Sequence, residues 1–185
     1  TGTGKTASFT LPMIDILASG RARARMPRTL ILEPTRELAA QVAENFDTYG
    51  KYNKLTKALI IGGTSMEEQS RVLDKGVDVL IATPGRLLDL YDRGGMLLND
   101  VKILVIDEAD RILEQGFEED MHTIIKLCPK ERQTILFSAT QTKKVEDLAR
   151  LSIKGTPVYV GVHDEDTAAT VSGLQQGYVT CPSEK

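Results

Sequence analysis

At 185 residues the chain suffices for one well-packed domain and falls short of two of ordinary size. Its 23 Lys and Arg against 26 Asp and Glu give a net charge of -3, which excludes holding nucleic acid by bulk charge but permits a few placed backbone contacts. No apolar run nears the roughly 18 residues of a bilayer span, no signal-peptide pattern is visible, and Cys128 and Cys181 lack metal-ligand or disulfide-framework spacing, so a reducing, intracellular compartment is expected.

In chain order, short β-branched runs alternate with amphipathic stretches, the pattern of βαβ units around a parallel sheet. The chain opens on Thr1-Gly2-Thr3-Gly4-Lys5-Thr6, and a first helix starts near Thr6. Residues 20–27, where Arg21, Arg23 and Arg25 alternate with small residues, read as a solvated connection, with a nucleic-acid contact as the competing reading. Strand 29–32 follows, then a helix from Arg36, strand 57–61 and a helix from Met66. Ser65-Met66-Glu67-Glu68 has the spacing of a capping box. Strand 77–82, a helix from near Arg86, strand 103–106, a helix from Glu118, strand 134–137, a helix from Lys143 and strand 158–160 complete the series. The strands are nearly continuous apolar runs, as in a sheet covered on both faces. Residues 1–160 are therefore expected to form the domain, 161–172 a linker and 173–185 the start of a further domain. Right-handed crossovers bring the loops after the strands to one edge of the sheet, where the chemistry is expected.

Two segments carry that chemistry. Thr1 to Thr6 match the latter part of the G-x-x-x-x-G-K-[ST] loop, whose first glycine would fall two residues before Thr1. Glycines let backbone N–H groups wrap round phosphates, and the following helix adds the positive end of its dipole. Lys5 can reach the β- and γ-phosphates and the Thr6 hydroxyl can ligate Mg²⁺. The buried-strand run Ile103-Leu104-Val105-Ile106 then ends in Asp107-Glu108. Carboxylates there would be costly without a partner. Asp107 is placed to hold Mg²⁺ through water, and Glu108 to orient and deprotonate an attacking water. A glycine-rich turn for the first segment and an acidic helix start capped by Asp110 for the second are the purely structural alternatives. Neither His122 nor His163 has a partner spacing for metal or acid–base work.

Asp107-Glu108-Ala109-Asp110 together with Ser138-Ala139-Thr140 resembles the DEAD-box ATP-dependent RNA helicases. Pro34-Thr35-Arg36-Glu37-Leu38, Gly62-Gly63 and Thr83-Pro84-Gly85-Arg86 match the identity and order of that family's RNA-contacting motifs. The resemblance covers the chain as the family's first RecA-like domain. It implies a P-loop NTPase fold of three α/β/α layers with a mainly parallel sheet, Mg-ATP held by Thr1–Thr6 and Asp107, and Glu108 with Lys5 and Asp107 in catalysis. It further implies RNA backbone contacts by Pro34, Thr35, Arg36, Gly62, Gly63, Thr83, Pro84, Gly85 and Arg86, largely independent of base sequence. Asp110, Ser138 and Thr140 would couple nucleotide state to strand separation. Read singly, Thr35 could merely cap a helix, Arg36 pair on the surface, Gly62-Gly63 form a turn, and Ser138 and Thr140 bond to nearby backbone.

The resemblance also implies a second RecA-like domain in cis, with arginines that stabilise the transferring phosphoryl group, and an upstream adenine-reading segment. The 185-residue segment alone is accordingly expected to bind nucleotide weakly and hydrolyse it very slowly, since an arginine finger contributes about 10³–10⁵ in rate. Residues 36–41 resemble bacterial members and residues 141–185 eukaryotic nucleolar ones, leaving cytoplasm or nucleus and nucleolus as alternative compartments. An ATP-gated RNA clamp without unwinding and a DNA-directed relative are the competing functional readings.

Overall fold

The structure is a computed structural model and describes residues 4–161. Five strands, β1 Thr29–Leu32, β2 Lys57–Ile60, β3 Val79–Ala82, β4 Ile103–Ile106 and β5 Gln133–Leu136, form one sheet in the order β2-β3-β1-β4-β5. Every pairing is parallel. Among the described residues seven helices complete it: α1 Lys5–Leu17, α2 Arg36–Tyr49, α3 Met66–Asp74, α4 Pro84–Asp92, α5 Ala109–Glu114, α6 Glu118–Leu127 and α7 Lys143–Ser152.

The central strands β1, β3 and β4 are buried along their whole length, as their unbroken apolar runs require. Alternate residues feed two cores. Leu30, Leu32, Leu80 and Leu104 face a larger cluster with residues of α3 to α7, while Ile31, Ile81 and Val105 face a second one with Phe9 and Met13 of α1 and Val42 and Phe46 of α2. The result is the expected three-layer α/β/α arrangement of a RecA-like fold.

Several local expectations need correction. β3 starts at Val79 rather than at residue 77, because the N–H of Asp78 bonds Thr56 and its side chain serves a neighbouring loop. α4 starts at Pro84, which suits a first helical turn because it has no N–H to satisfy. α5, a separate helix after Glu108, was not foreseen. Ser65 caps α3 by accepting from the N–H of Glu68, but no return bond from the Glu68 side chain forms, so the capping box is half made. Residues 158–160 join no sheet among the described residues, and Val158 is 91% exposed; β-branched composition makes a strand only where a ladder partner is present. The expected linker and following strand lie outside the described residues, as do Thr1, Gly2 and Thr3.

The arginine-rich connection is not uniformly solvated. Arg28 is anchored to the carbonyls of Leu17 and Ser19 and to Asp78 at 3.2 Å, while Arg23 and Arg25 pair with Asp100 and Asp74. Buried Asp78 also accepts from the N–H groups of Ala22 and Thr56 and from the Thr56 hydroxyl. One carboxylate thus ties three chain segments at the end of the sheet remote from the strand C-termini. Asp78→Ala leaves those donors without an acceptor and should lower unfolding free energy by about 2–4 kcal/mol, read from denaturant midpoints. A change below about 0.5 kcal/mol would show that water replaces the carboxylate at no loss.

Candidate functional site

The parallel register brings the residues after β1, β3 and β4 to one edge. Leu32 lies opposite both Ala82 and Ile106. The N–H of Asp107 donates to the Leu32 carbonyl and the N–H of Glu33 to the Ala82 carbonyl, so the ladders continue one residue into the loops. Glu33 and Asp107 are thereby set side by side at the strand ends.

Lys5 opens α1 directly after Gly4, whose φ of 74° is a left-handed conformation that favours glycine. α1 is held by Phe9 and Met13 in the second core, and the Phe9 ring lies 5.6 Å from that of Phe137 after β5. This packing aims the start of α1 at the acidic edge: the positive charge of Lys5 acts on both Glu33 and Asp107. Thr6 follows in the first turn of the same helix.

Asp107 is buried, its Oδ1 accepting from the N–H of Glu108 at 2.9 Å. Burial raises its proton affinity, against the opposing pull of Glu33, Lys5 and the Glu108 N–H. Glu108 adopts φ 48°, ψ 51°, a left-handed conformation for a residue with a full side chain, of the kind that costs about 1–3 kcal/mol and clusters at functional sites. Its Oε2 accepts from Arg111 at 2.6 Å.

Glu33 escaped the sequence reading. It is 1% exposed, and neither of its carboxyl oxygens has a hydrogen-bond partner of good geometry, although its carboxyl faces that of Asp107. Burial, followed by the charges of Asp107 and Glu108, pushes its pKa up to about 10 against the pull of Lys5. The signal was present in Leu30-Ile31-Leu32-Glu33, an acid closing a buried strand just as Asp107 does.

The carboxyl oxygens of Asp107 and the unpartnered ones of Glu33, beside the helix start that carries Lys5 and Thr6, are hard donors of the kind that suit Mg²⁺. Among the described residues no group of three or more His, Cys, Asp or Glu could enclose a metal by itself.

Beyond the acidic pair, Thr140 donates to Asp110 Oδ2 at 3.0 Å, and Asp110 Oδ1 accepts from the N–H of Arg111. The loop after β5 is therefore linked directly to the Asp107–Asp110 segment. Ser138 turns inward to its own loop and donates to the Thr140 carbonyl.

Along the same edge a groove of about 420 Å³ is lined by Pro34, Thr35 and Arg36 after β1, Gly62 and Gly63 after β2, and Thr83, Gly85 and Arg86 after β3. Pro34 and Pro84 are buried beside it. Thr35 caps α2, accepting from the Leu38 N–H at 3.2 Å. Arg36 makes no ion pair; it reaches the Gly62 carbonyl at 3.4 Å and would meet any Cβ placed on Gly63 at 2.8 Å. Arg86 is only 17% exposed in its side chain and its donors are largely engaged, Nη2 with the Thr64 carbonyl at 2.6 Å and Nε with Gln69 at 3.1 Å. Glu37, Gln115 and Phe117 complete the lining, and no periodicity or motif pointed to the last two.

A parallel sheet whose carboxyl edge carries a glycine-led helix start, a facing acidic pair and a groove of strand-end loops defines a P-loop nucleotide-binding domain. The chain belongs to the DEAD/DEAH box helicase family, whose sequence profile matches residues 1–148. It is 52% identical over its whole length to the probable ATP-dependent RNA helicase ddx18 of Dictyostelium discoideum, covering 31% of that protein. It is 50% identical to the human ATP-dependent RNA helicase DDX18, again over its whole length and covering 28% of it. The yeast DEAD-box splicing factor Prp28 superposes with a TM-score of 0.76 at 33% identity over 83% of this chain and 38% of that one. A DEAD box protein from Methanococcus jannaschii gives 0.74 at 38% identity over 81% and 40%. The chain spans about a third of the length of the curated relatives it matches.

The Glu33 environment has a measurable consequence. A carboxyl raised from 4.5 to about 10 binds more protons in the folded chain than in the unfolded one between those values. Its stabilising contribution is full below the unfolded pKa and is lost as pH rises through the folded one. Stability of the Mg²⁺-free, nucleotide-free protein should therefore fall from about pH 6 to about pH 9, and Glu33→Gln should flatten the slope, as read from urea midpoints. An unaltered slope in the variant would assign the effect to other groups.

Proposed function

We propose that this chain is the ATP-binding half of an ATP-dependent RNA helicase, in which RNA-stimulated ATP hydrolysis drives local duplex unwinding or remodelling of RNA–protein complexes. The observation that carries the reading is the meeting, on one sheet edge, of the Lys5–Asp107–Glu108 constellation with the groove of Arg36, Gly62-Gly63 and Thr83–Arg86, the Thr140–Asp110 bond linking a further loop to the acidic segment. The names of the relatives support it.

Gly4 and the N-terminus of α1 would cradle the phosphates, with Thr1, Gly2 and Thr3 completing the turn. Lys5 would reach the β- and γ-phosphates, and Thr6 and Asp107 would hold Mg²⁺, which when bound neutralises charge developing on the phosphates. Glu108 would orient a water and accept its proton as the water oxygen bonds to the γ-phosphorus. The β–γ bridging P–O bond breaks and ADP leaves with the electron pair. Glu108 can act so only after its carboxylate exchanges Arg111 for that water. A second RecA-like domain in the intact protein would supply the remaining phosphate contacts.

RNA would lie in the groove with its phosphates and 2′-hydroxyls against Pro34, Thr35, the Gly62-Gly63 backbone, Thr83 and Gly85, which makes recognition largely indifferent to sequence. Asp110, Ser138 and Thr140 would couple nucleotide state to that groove. The eukaryotic origin of the curated relatives supports an intracellular protein, and among compartments we favour the nucleus or nucleolus.

In the full-length protein, Glu108→Gln should retain ATP binding and lower RNA-stimulated turnover by about 10²-fold or more, and Lys5→Ala should weaken both. Turnover by Glu108→Gln at the unmodified rate would reject the assigned base. Equal stimulation by RNA and matched DNA would reject the 2′-hydroxyl reading, and ATP-dependent RNA binding without strand displacement would make the protein a clamp.

A further inference from the structure

Gln69 is the one buried polar side chain of α3, lying one helical turn before Leu73, which is wholly buried in the larger core. It was not singled out in the sequence, yet both ends of its amide are used. Nε2 donates to the Ile61 carbonyl at 2.9 Å and to the Thr64 hydroxyl, while Oε1 accepts from Arg86 Nε at 3.1 Å. Thr64 Oγ1 donates in turn to the Ile61 carbonyl, and the Thr64 carbonyl accepts from Arg86 Nη2. Gly62 and Gly63 stand between those anchor points, with Arg36 on the Gly62 carbonyl from the side of β1. Gly62 and Gly63 make no backbone–backbone hydrogen bond among the described residues, and Gly63 sits at φ 86°.

We infer that Gln69 is a positioning residue that locks the Gly62-Gly63 turn and Arg86 into one unit, so that two separate strand-end loops meet the RNA backbone as a single preformed surface. The amide supplies from one side-chain end both the donors that the turn takes and the acceptor that the arginine takes. Arg86, mostly buried and with most of its donors engaged, acts first by shaping the turn and only secondarily as a cation toward phosphate. A preformed surface spares the ordering of two loops at the moment of binding, which is where affinity would be gained. The inference rests on the groove being the RNA site.

The test uses the full-length protein and a single-stranded RNA oligonucleotide, and reads the RNA concentration giving half-maximal ATPase stimulation alongside kcat. Gln69→Met keeps the volume and removes both kinds of hydrogen bond; it should raise half-saturation by about 3–10-fold, with a smaller change in kcat. Arg86→Lys keeps the charge but cannot bridge Gln69 and Thr64 together, and should give a rise of the same order. The double variant should be no worse than about the larger single, because both break one unit. A Gln69→Met protein with unaltered half-saturation, or a double variant whose effect is the product of the singles, overturns the inference. If Arg86→Ala raises half-saturation while Gln69→Met and Arg86→Lys do not, the groove still binds RNA and only the lock is wrong. If no variant at positions 36, 69 or 86 moves it, the groove reading itself fails. Should Gln69→Met not fold, Gln69→Leu, which likewise removes both kinds of hydrogen bond and adds no charge, takes its place with the same outcomes.

Discussion

Leu32 and Ile106 stand opposite each other in a parallel register, and the ladder runs on until the N–H of Asp107 meets the Leu32 carbonyl. That pairing forces two carboxyl groups, Glu33 and Asp107, to share one water-poor corner at the end of a fully buried pair of strands. Two ionised carboxylates there would repel each other at low dielectric and lose their hydration together. The relief available inside the chain is a proton on Glu33 and the ammonium of Lys5, and Lys5 is delivered only because α1 is pinned to the opposite sheet face by Phe9 and Met13. Strand register, the packing of α1 and the electrostatics of the site therefore depend on one another. In the proposed function a hard divalent cation with its waters would offer the same corner a further relief.

Legibility from sequence followed the physics of each signal. The central strands were read almost to the residue because burial on both faces leaves nothing but apolar side chains, as in 29–32 and 103–106. Edges were harder. Residues 158–160 have the composition of a strand without a neighbouring ladder among the described residues, and composition cannot announce a neighbour. Motifs with a fixed spacing located Lys5, the acidic pair and the three groove loops. Glu33 and Gln69 went unread for different reasons. Glu33 interrupts an apolar run at a point where a turn was already expected, and Gln69 is indistinguishable from an exposed helix residue until its partners are known. Arg86 shows the converse: its motif was legible, but that its guanidinium is spent within the protein was not.

The groove is built with little free charge. Arg36 and Arg86 both direct donors at backbone carbonyls of the segment around Gly62-Gly63, and neither stands out as a bare cation. A net charge of -3 gives this chain no strongly positive overall field, so in the proposed function affinity for RNA would come from close, preformed geometry. Hydroxyls, backbone groups and glycines without Cβ would provide that, at the expense of base discrimination.

A chain of contacts joins the loop after β5 to the acidic corner. Thr140 bonds Asp110, the other oxygen of Asp110 holds the backbone of Arg111, and the guanidinium of Arg111 holds the carboxylate of Glu108. Glu108 meanwhile keeps a left-handed backbone that a side-chain-bearing residue adopts only when its surroundings insist. These two facts belong together. The strained backbone turns the Glu108 carboxylate toward Arg111, and the ion pair is one of the contacts that compensate the strain. In the proposed coupling, a shift of the loop after β5 would disturb Asp110, then Arg111, and so bear on the Glu108 ion pair. The route is short and made of directed bonds rather than diffuse packing, and in the proposed function it is the path by which the loop after β5 would bear on Glu108.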